Sequence, residues 1–168
     1  MTKSIFFVII VALILAWYLS FSATRLDRLH HRVETSWEHL DALLQRRAAI
    51  ALDIAHKSNL DPATYLLLAS SAFQAREAII IERSEAESSL SESLRLLQSD
   101  SQDVTGTIAP SSLAELESIT DKIKMSINIH LEAVNAVGNL RSKVVFRIFR
   151  LAGHAPLPVH YAFEDDAL

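Results

Sequence analysis

The side chains in this sequence best suited to chemistry are its seven histidines, at His30, His31, His39, His56, His130, His154 and His160. A helical metal site needs ligands one turn apart, as in H-E-x-x-H, or carboxylates from four helices with paired Glu-x-x-His elements. Asp27-x-x-His30 is only a distant imitation, so the histidines are expected to be solvated or half-buried and no metal is expected. His154 and His160 stand near Glu164, Asp165 and Asp166, where a cation site is conceivable. Pro156, Pro158 and the scarcity of apolar residues there suit an unstructured acidic tail better. A serine hydrolase needs a G-x-S-x-G elbow and a phosphate site needs a glycine-rich loop, whereas this chain has 3 scattered glycines and neither motif. Its lack of cysteine removes thiolate catalysis, zinc fingers and iron–sulfur clusters. No catalytic residue and no cofactor are expected, and the chain reads as non-enzymatic.

Two stretches stand out by charge. The run Arg83 to Leu94, RSEAESSLSESL, reads as a solvated helix face. The run Arg141 to Arg150, RSKVVFRIFR, holds four basic residues and no acid. At 100° per residue Lys143, Arg147 and Arg150 share one side, opposite Val144, Val145, Ile148 and Phe149. Such a helix suits an anionic partner or lipid. The plainer expectation is a basic helix end complementing its own dipole and the acidic tail.

The elements that would position these residues follow from composition. The 168 residues are 50% hydrophobic and 21% charged, with 3 glycines and 4 prolines, too few turn formers for a sheet protein. An all-α fold is expected. The net charge of -4 argues against a nucleic-acid partner. Breakers at Pro62, then Gly106 and Pro110, then Gly153, divide the chain into helices of about 24–58, 62–99 and 112–152, followed by an acidic tail, 153–168. The first carries a seam of Leu26, Leu29, Val33, Leu40, Leu43, Ile50 and Ile54, widened by Trp37 and Leu44. The second carries Leu66, Ala69, Phe73, Ile80, Leu90, Leu94 and Leu97. The third carries Leu113, Leu116, Ile123, Ile127, Val134, Val137, Val144, Ile148 and Leu151. Asp61-Pro62 predicts a helix start, and Ser112 with Glu115 a capping box. Three such rods form an antiparallel bundle, with Arg47, Arg76, Arg83 and Arg141 at or beside the core making bordering salt bridges. Counting three rods places the end of the basic run roughly 50 Å from the start of the first, beside the turn at Asn59 to Asp61.

Residues 1–23 form a candidate transmembrane anchor. Ile5 to Ala23 is uncharged and makes roughly 28 Å of helix, enough to cross a bilayer, with Phe6 and Phe7 near one end and Trp17 and Tyr18 near the other. Ser20, Ser22 and Ala23 also resemble a signal-cleavage site. An anchor is favoured because no helix breaker separates the apolar run from the amphipathic helix after it. Arg25, Arg28 and Arg32 on one side outnumber Lys3 and the terminal amine on the other, which favours a cytoplasmic C-terminal domain.

Arg25 to Ala55, RLDRLHHRVETSWEHLDALLQRRAAIALDIA, resembles the opening of LemA-family bacterial membrane proteins. The family pattern R-V-x-x-A-W-x-x-(I/L)-D-x-x-L-x-R-R is matched by Arg32, Val33, Trp37, Leu40, Asp41, Leu44, Arg46 and Arg47, and Ala75-Arg76 looks like a further family element. The family's proline after the Arg-Arg segment is replaced by Ala51, and its Tyr-Asn pairs correspond loosely to His130-Leu131 and Val137-Gly138. The resemblance implies a divergent branch, a membrane-anchored antiparallel helical bundle, and no catalytic residue. The function expected is therefore non-catalytic interaction or scaffolding at the cell membrane. An exported soluble bundle and, further off, an enzyme with a metal site in the bundle core are the alternatives. The partners expected are the lipid bilayer, through residues 5–23, and a protein, a second copy of the chain being one candidate.

Overall fold

A computed structural model of the chain describes residues 2–99 and 108–142. These form four helices and no strand among the described residues: α1 (Thr2–Lys57), α2 (Pro62–Glu77), α3 (Arg83–Ser99) and α4 (Pro110–Arg141). The tail, 153–168, and the helical stretch expected beyond Ser142 lie outside the described residues.

Helix α1 runs 56 residues without interruption because no glycine or proline occurs along it. Its last turn carries His56 and Lys57, cations that oppose the negative end of the helix dipole, and Lys57 is 2.9 Å from Asp53. Helix α2 opens on the expected cap. Asp61 Oδ1 accepts from the backbone N–H of Ala63 at 2.9 Å and of Thr64 at 3.2 Å, with Pro62 at the first helical position.

The single helix expected over 62–99 is two helices. Ala78 leaves the helical region (ψ 128°) and Ile79 to Glu82 make a turn closed by Glu82 N–H to the Ile79 carbonyl at 3.0 Å. No glycine or proline marks the break. Its local cause is the β-branched run Ile79-Ile80-Ile81, which loses rotamer freedom in a helix. Its tertiary cause is Arg83, whose Nη1 donates to the Ala75 carbonyl at 2.6 Å and whose Nη2 donates to Asp41 Oδ1 at 2.6 Å. One guanidinium thus satisfies a carbonyl left open at the end of α2 and ties the start of α3 to α1.

The chain clusters into two compact units, which share α1 and α4. Among the described residues the first holds 2–36 and 130–142, the second 37–99 and 108–129.

In the second unit, Leu40, Leu44, Ala51 and Ile54 of α1, Leu68, Ala72 and Ala75 of α2, Leu90, Leu94 and Leu97 of α3, and Leu116, Ile119, Ile123 and Ile127 of α4 are all buried. Helix α2 packs on α3. Asp41 meets Arg83 while Arg47 meets Glu87 and Ser91, so α3 runs parallel to this part of α1. Of the seam expected over 62–99, Ala69, Leu90, Leu94 and Leu97 are buried, but Leu66 and Phe73 of α2 and Ile80 of the turn after it are 65%, 51% and 47% exposed, and the inward face of α2 is Leu68, Ala69, Ser71, Ala72 and Ala75. Apolar residues surround α2 on every side, so hydropathy gives it no direction, and the small residues face inward where helices approach closely. In α3, Arg83, Glu87, Leu90, Ser93 and Leu94 are buried, so RSEAESSLSESL has one packed side instead of being solvated throughout. Helix α4 begins two residues before the expected capping box. The Ala109 carbonyl receives the N–H of Ser112 at 3.0 Å, and the Glu115 carboxylate meets Arg46 at 2.7 Å.

In the first unit α4 lies antiparallel to α1. Ser36 is paired with His130, Arg32 with Glu132 at 3.7 Å, and Leu26 packs with Val137 and Leu140, flanked by Leu29 and Val33. The extra reversal at Ala78 to Glu82 sends the last helix back along the first. The end of α4 therefore lies beside Leu26, not at the far end of a three-rod bundle. Beyond that cluster Ser22 is still buried and Leu19 half-buried, while Ile5 to Tyr18 is exposed, with Ile5, Phe6 and Trp17 at 59%, 67% and 71% exposure and Trp17 stacked on Phe21 at 6.2 Å.

Candidate functional site

The polar centre of the second unit is built around Arg47, which is 1% exposed. Its Nη2 donates to Glu87 Oε2 at 2.8 Å, to the Glu87 carbonyl at 3.1 Å and to Ser91 Oγ at 2.9 Å. Ser91 in turn donates to the Glu87 carbonyl at 2.8 Å, a shared i−4 bond that holds the hydroxyl toward the guanidinium. Burial lowers the pKa of Arg47, and Glu87 opposes that shift. Burial likewise pushes the Glu87 carboxyl above the usual range, opposed by the charges of Arg47 and Arg83. A buried carboxyl with a raised pKa is one ingredient of acid–base chemistry. Glu87 is 1% exposed and packed against a cation, and the pair holds α1 and α3 in register.

A cavity of about 580 Å³ lies beside this pair, lined among others by Arg47, Ser91, Arg95, Glu117, Asp121 and Lys124. Both signs of charge are interspersed. Arg95 is already bound to Glu92 at 2.6 Å. Among the described residues no group of three His, Asp or Glu side chains is placed to hold a metal ion.

The first unit contains a Ser–His contact, Ser36 Oγ to His130 Nδ1 at 2.9 Å, with His130 3% exposed. Ser36 Oγ also lies 2.8 Å from the Val33 carbonyl, which can only accept. The hydroxyl proton is therefore directed to Val33, and this bonding pattern assigns the Nδ1 proton to the imidazole as donor. An Nδ1 that carries a proton cannot take one from Ser36, so the pair is a crosslink between helices and not a nucleophile with its base.

The residues singled out from the sequence separate into packing and pairing roles. Leu40 and Leu44 are fully buried, Val33 and Trp37 half-buried. Asp41 receives Arg83, Arg46 reaches Glu115 at 2.7 Å, Arg32 faces Glu132, and Arg47 is the buried cation. Lys143, Arg147 and Arg150 lie outside the described residues. Of the arginines expected to border the core, Arg47 and Arg83 enter it, Arg141 is half-buried and Arg76 is exposed. Sequence reasoning missed Glu87, Ser91, Ser36 and His130 as partners. For Glu87 the usable signal is its seven-residue spacing from Leu94 and three from Leu90, which puts a carboxylate on a core face opposite an unmatched arginine.

No family model, no curated protein and no solved structure matches this chain.

Proposed function

We propose that this protein is a membrane-anchored helical bundle, LemA-like, with a non-catalytic interaction or scaffolding role. One observation carries the reading: within the uncharged run Ile5 to Ala23 the stretch Ile5 to Tyr18 is apolar and exposed, and it continues in the same helix into residues that pack against protein. Within the described residues α1 is the one helix long and apolar enough to cross a membrane. An apolar surface of that length is stable in hydrocarbon and unstable in water. The LemA-like element of the proposal rests on the motif residues of α1. It is supported by their having structural employment, Leu40 and Leu44 in the core and Asp41 and Arg47 in ion pairs. A non-catalytic role fits polar groups that are already committed to one another. Arg25, Arg28 and Arg32 after the run, against Lys3 before it, favour a single-pass protein with its bundle in the cytoplasm.

The test is cell fractionation with protease protection of a C-terminal tag. The tag is expected to remain with membranes through a high-salt wash and to be degraded only when the cytoplasmic face is exposed. Release in the wash, with a mature N-terminus at Ala23, overturns the anchor in favour of an exported bundle.

A further inference from the structure

The cavity beside Arg47 lies wholly within the second unit, and its volume of about 580 Å³ falls inside the range of small-molecule sites. Helices α3 and α4 each give it one stripe. Leu94 and Arg95 stand on the α3 side, while Leu113, Leu116, Glu117, Asp121 and Lys124 recur at helical period on the α4 side. Arg47 enters from α1 with its charge buried but its donors only partly used. Nη2 makes all of the guanidinium's hydrogen bonds, to Glu87 and Ser91, which leaves the N–H groups of Nη1 and Nε. Nε is buried without a partner. Donors of this kind, held in place by a paired neighbour, suit a ligand carboxylate.

We propose that this cavity binds a small zwitterion with an apolar side chain, a free amino acid or a short peptide. The charge balance selects that class. Arg47, Arg95 and Lys124 border the cavity, but so do Glu117 and Asp121, and Arg47 and Arg95 are themselves held by Glu87 and Glu92. Three cations among four carboxylates give a simple anion no net attraction. A simple cation, in turn, leaves the Arg47 donors unused. A ligand carrying both charges meets both sets of groups: its carboxylate is taken by Arg47 and Lys124, its ammonium by Glu117 and Asp121, which stand one turn apart on α4. Glu117, Asp121 and Lys124 are in no ion pair among the described residues, so no existing bond has to break. Leu94, Leu113 and Leu116 give the hydrocarbon part of the ligand an apolar wall. Every residue of the site belongs to the second unit, so the proposal stands independently of the membrane anchor.

Equilibrium dialysis of the full chain in detergent, with four radiolabelled probes, tests the class. Leucine and leucylleucine carry both charges, 4-methylpentanoate lacks the ammonium, and isoamylamine lacks the carboxylate. At least one zwitterion is expected to bind at one per chain, and both single-charge probes at least about tenfold more weakly. Tighter binding of leucine assigns the site to a free amino acid, and tighter binding of leucylleucine assigns it to a peptide. Glu117→Gln combined with Asp121→Asn is expected to weaken the zwitterion at least about tenfold and to leave 4-methylpentanoate no weaker. Arg47→Met combined with Glu87→Leu removes the guanidinium without stranding a buried charge, and is expected to weaken both of those probes while circular dichroism stays helical. No binding of either zwitterion up to about 10 mM overturns the proposal. Equal binding of leucine and either single-charge probe also overturns it, as does zwitterion binding that survives the Glu117 and Asp121 substitutions unchanged.

Discussion

Arg47 Nη2 and Glu87 Oε2 lie 2.8 Å apart with side chains 2% and 1% exposed, a charge pair closed inside the second unit. Removing one partner strands the other. Arg47→Met or Glu87→Leu alone is expected to cost about 3–5 kcal/mol, whereas the two together recover most of that loss because an apolar pair replaces two desolvated charges. Urea unfolding of the four proteins in detergent measures the coupling. Additive single effects would show that the pair does not act as a unit.

Arg83 predicts a local effect as well as a global one. Arg83→Met removes bonds to the Ala75 carbonyl and to Asp41 and is expected to lower stability by about 2–3 kcal/mol. Asp41 is part-exposed and can turn to water. The Ala75 carbonyl is the more sensitive group, so hydrogen exchange should quicken first at the end of α2 and in the turn after it. Uniform acceleration over all helices would mean that Arg83 does not hold the turn.

The exchanged faces of α2 give opposite outcomes for similar-looking residues. Phe73→Ser and Leu66→Gln, on the exposed side, should change stability by no more than about 0.5 kcal/mol. Leu68→Ala, at 1% exposure, should cost about 2–5 kcal/mol. Thermal melts of the three variants decide whether α2 is oriented as described.

Asp61 gives the fold a pH dependence of definite sign. Hydrogen bonds from Thr64, side chain first and then backbone, hold its carboxyl below the usual range. A group whose folded value is depressed adds stability above its unfolded value, and that stability is lost as pH falls through the folded one. Glu87, raised by burial, contributes with the opposite sign: stability declines as pH climbs from its unfolded to its folded value. Asp61→Asn keeps an accepting oxygen at the cap and removes the charge. Its melting temperature should fall below that of the parent at neutral pH and converge with it in acid. A gap that persists in acid would place the effect elsewhere.

A chain starting at Thr24 retains Leu26 and every buried hydrophobic residue, so it is expected to be soluble and helical in water, and insensitive to chelator. Circular dichroism before and after chelation, with elemental analysis, checks both points. A stoichiometric metal whose removal unfolds the bundle would replace the scaffold reading with a metalloprotein.

The helical class, the long first helix and the Asp61-Pro62 start were legible because each rests on local rules: scarcity of breakers, uninterrupted hydropathy and cap chemistry. The number of helices was not. Ile79-Ile80-Ile81 is apolar and contains no glycine or proline, and what breaks the helix there is a bond from Arg83 to a carbonyl on α2 and a carboxylate on α1. Such a bond depends on three elements at once. The same limit hid the α2 face, where Leu66 and Phe73 carry the hydropathy and Ala72 and Ala75 carry the contact. Missing one reversal also inverted the direction of the last helix. Of the polar centre, Arg47 and Asp41 could be named, but not whom they would meet.

The inward face of α2 has Ala72 and Ala75 at 0% exposure, with Ala48 and Ala51 equally enclosed on α1, and overpacking such enclosed positions typically costs about 1–3 kcal/mol. The mutational freedom of this protein is accordingly distributed against intuition. Its bulky leucine and phenylalanine on the outside of α2 can drift among polar and apolar types from one descendant to the next, while its least conspicuous residues, alanines in a helix, are the ones that selection must keep.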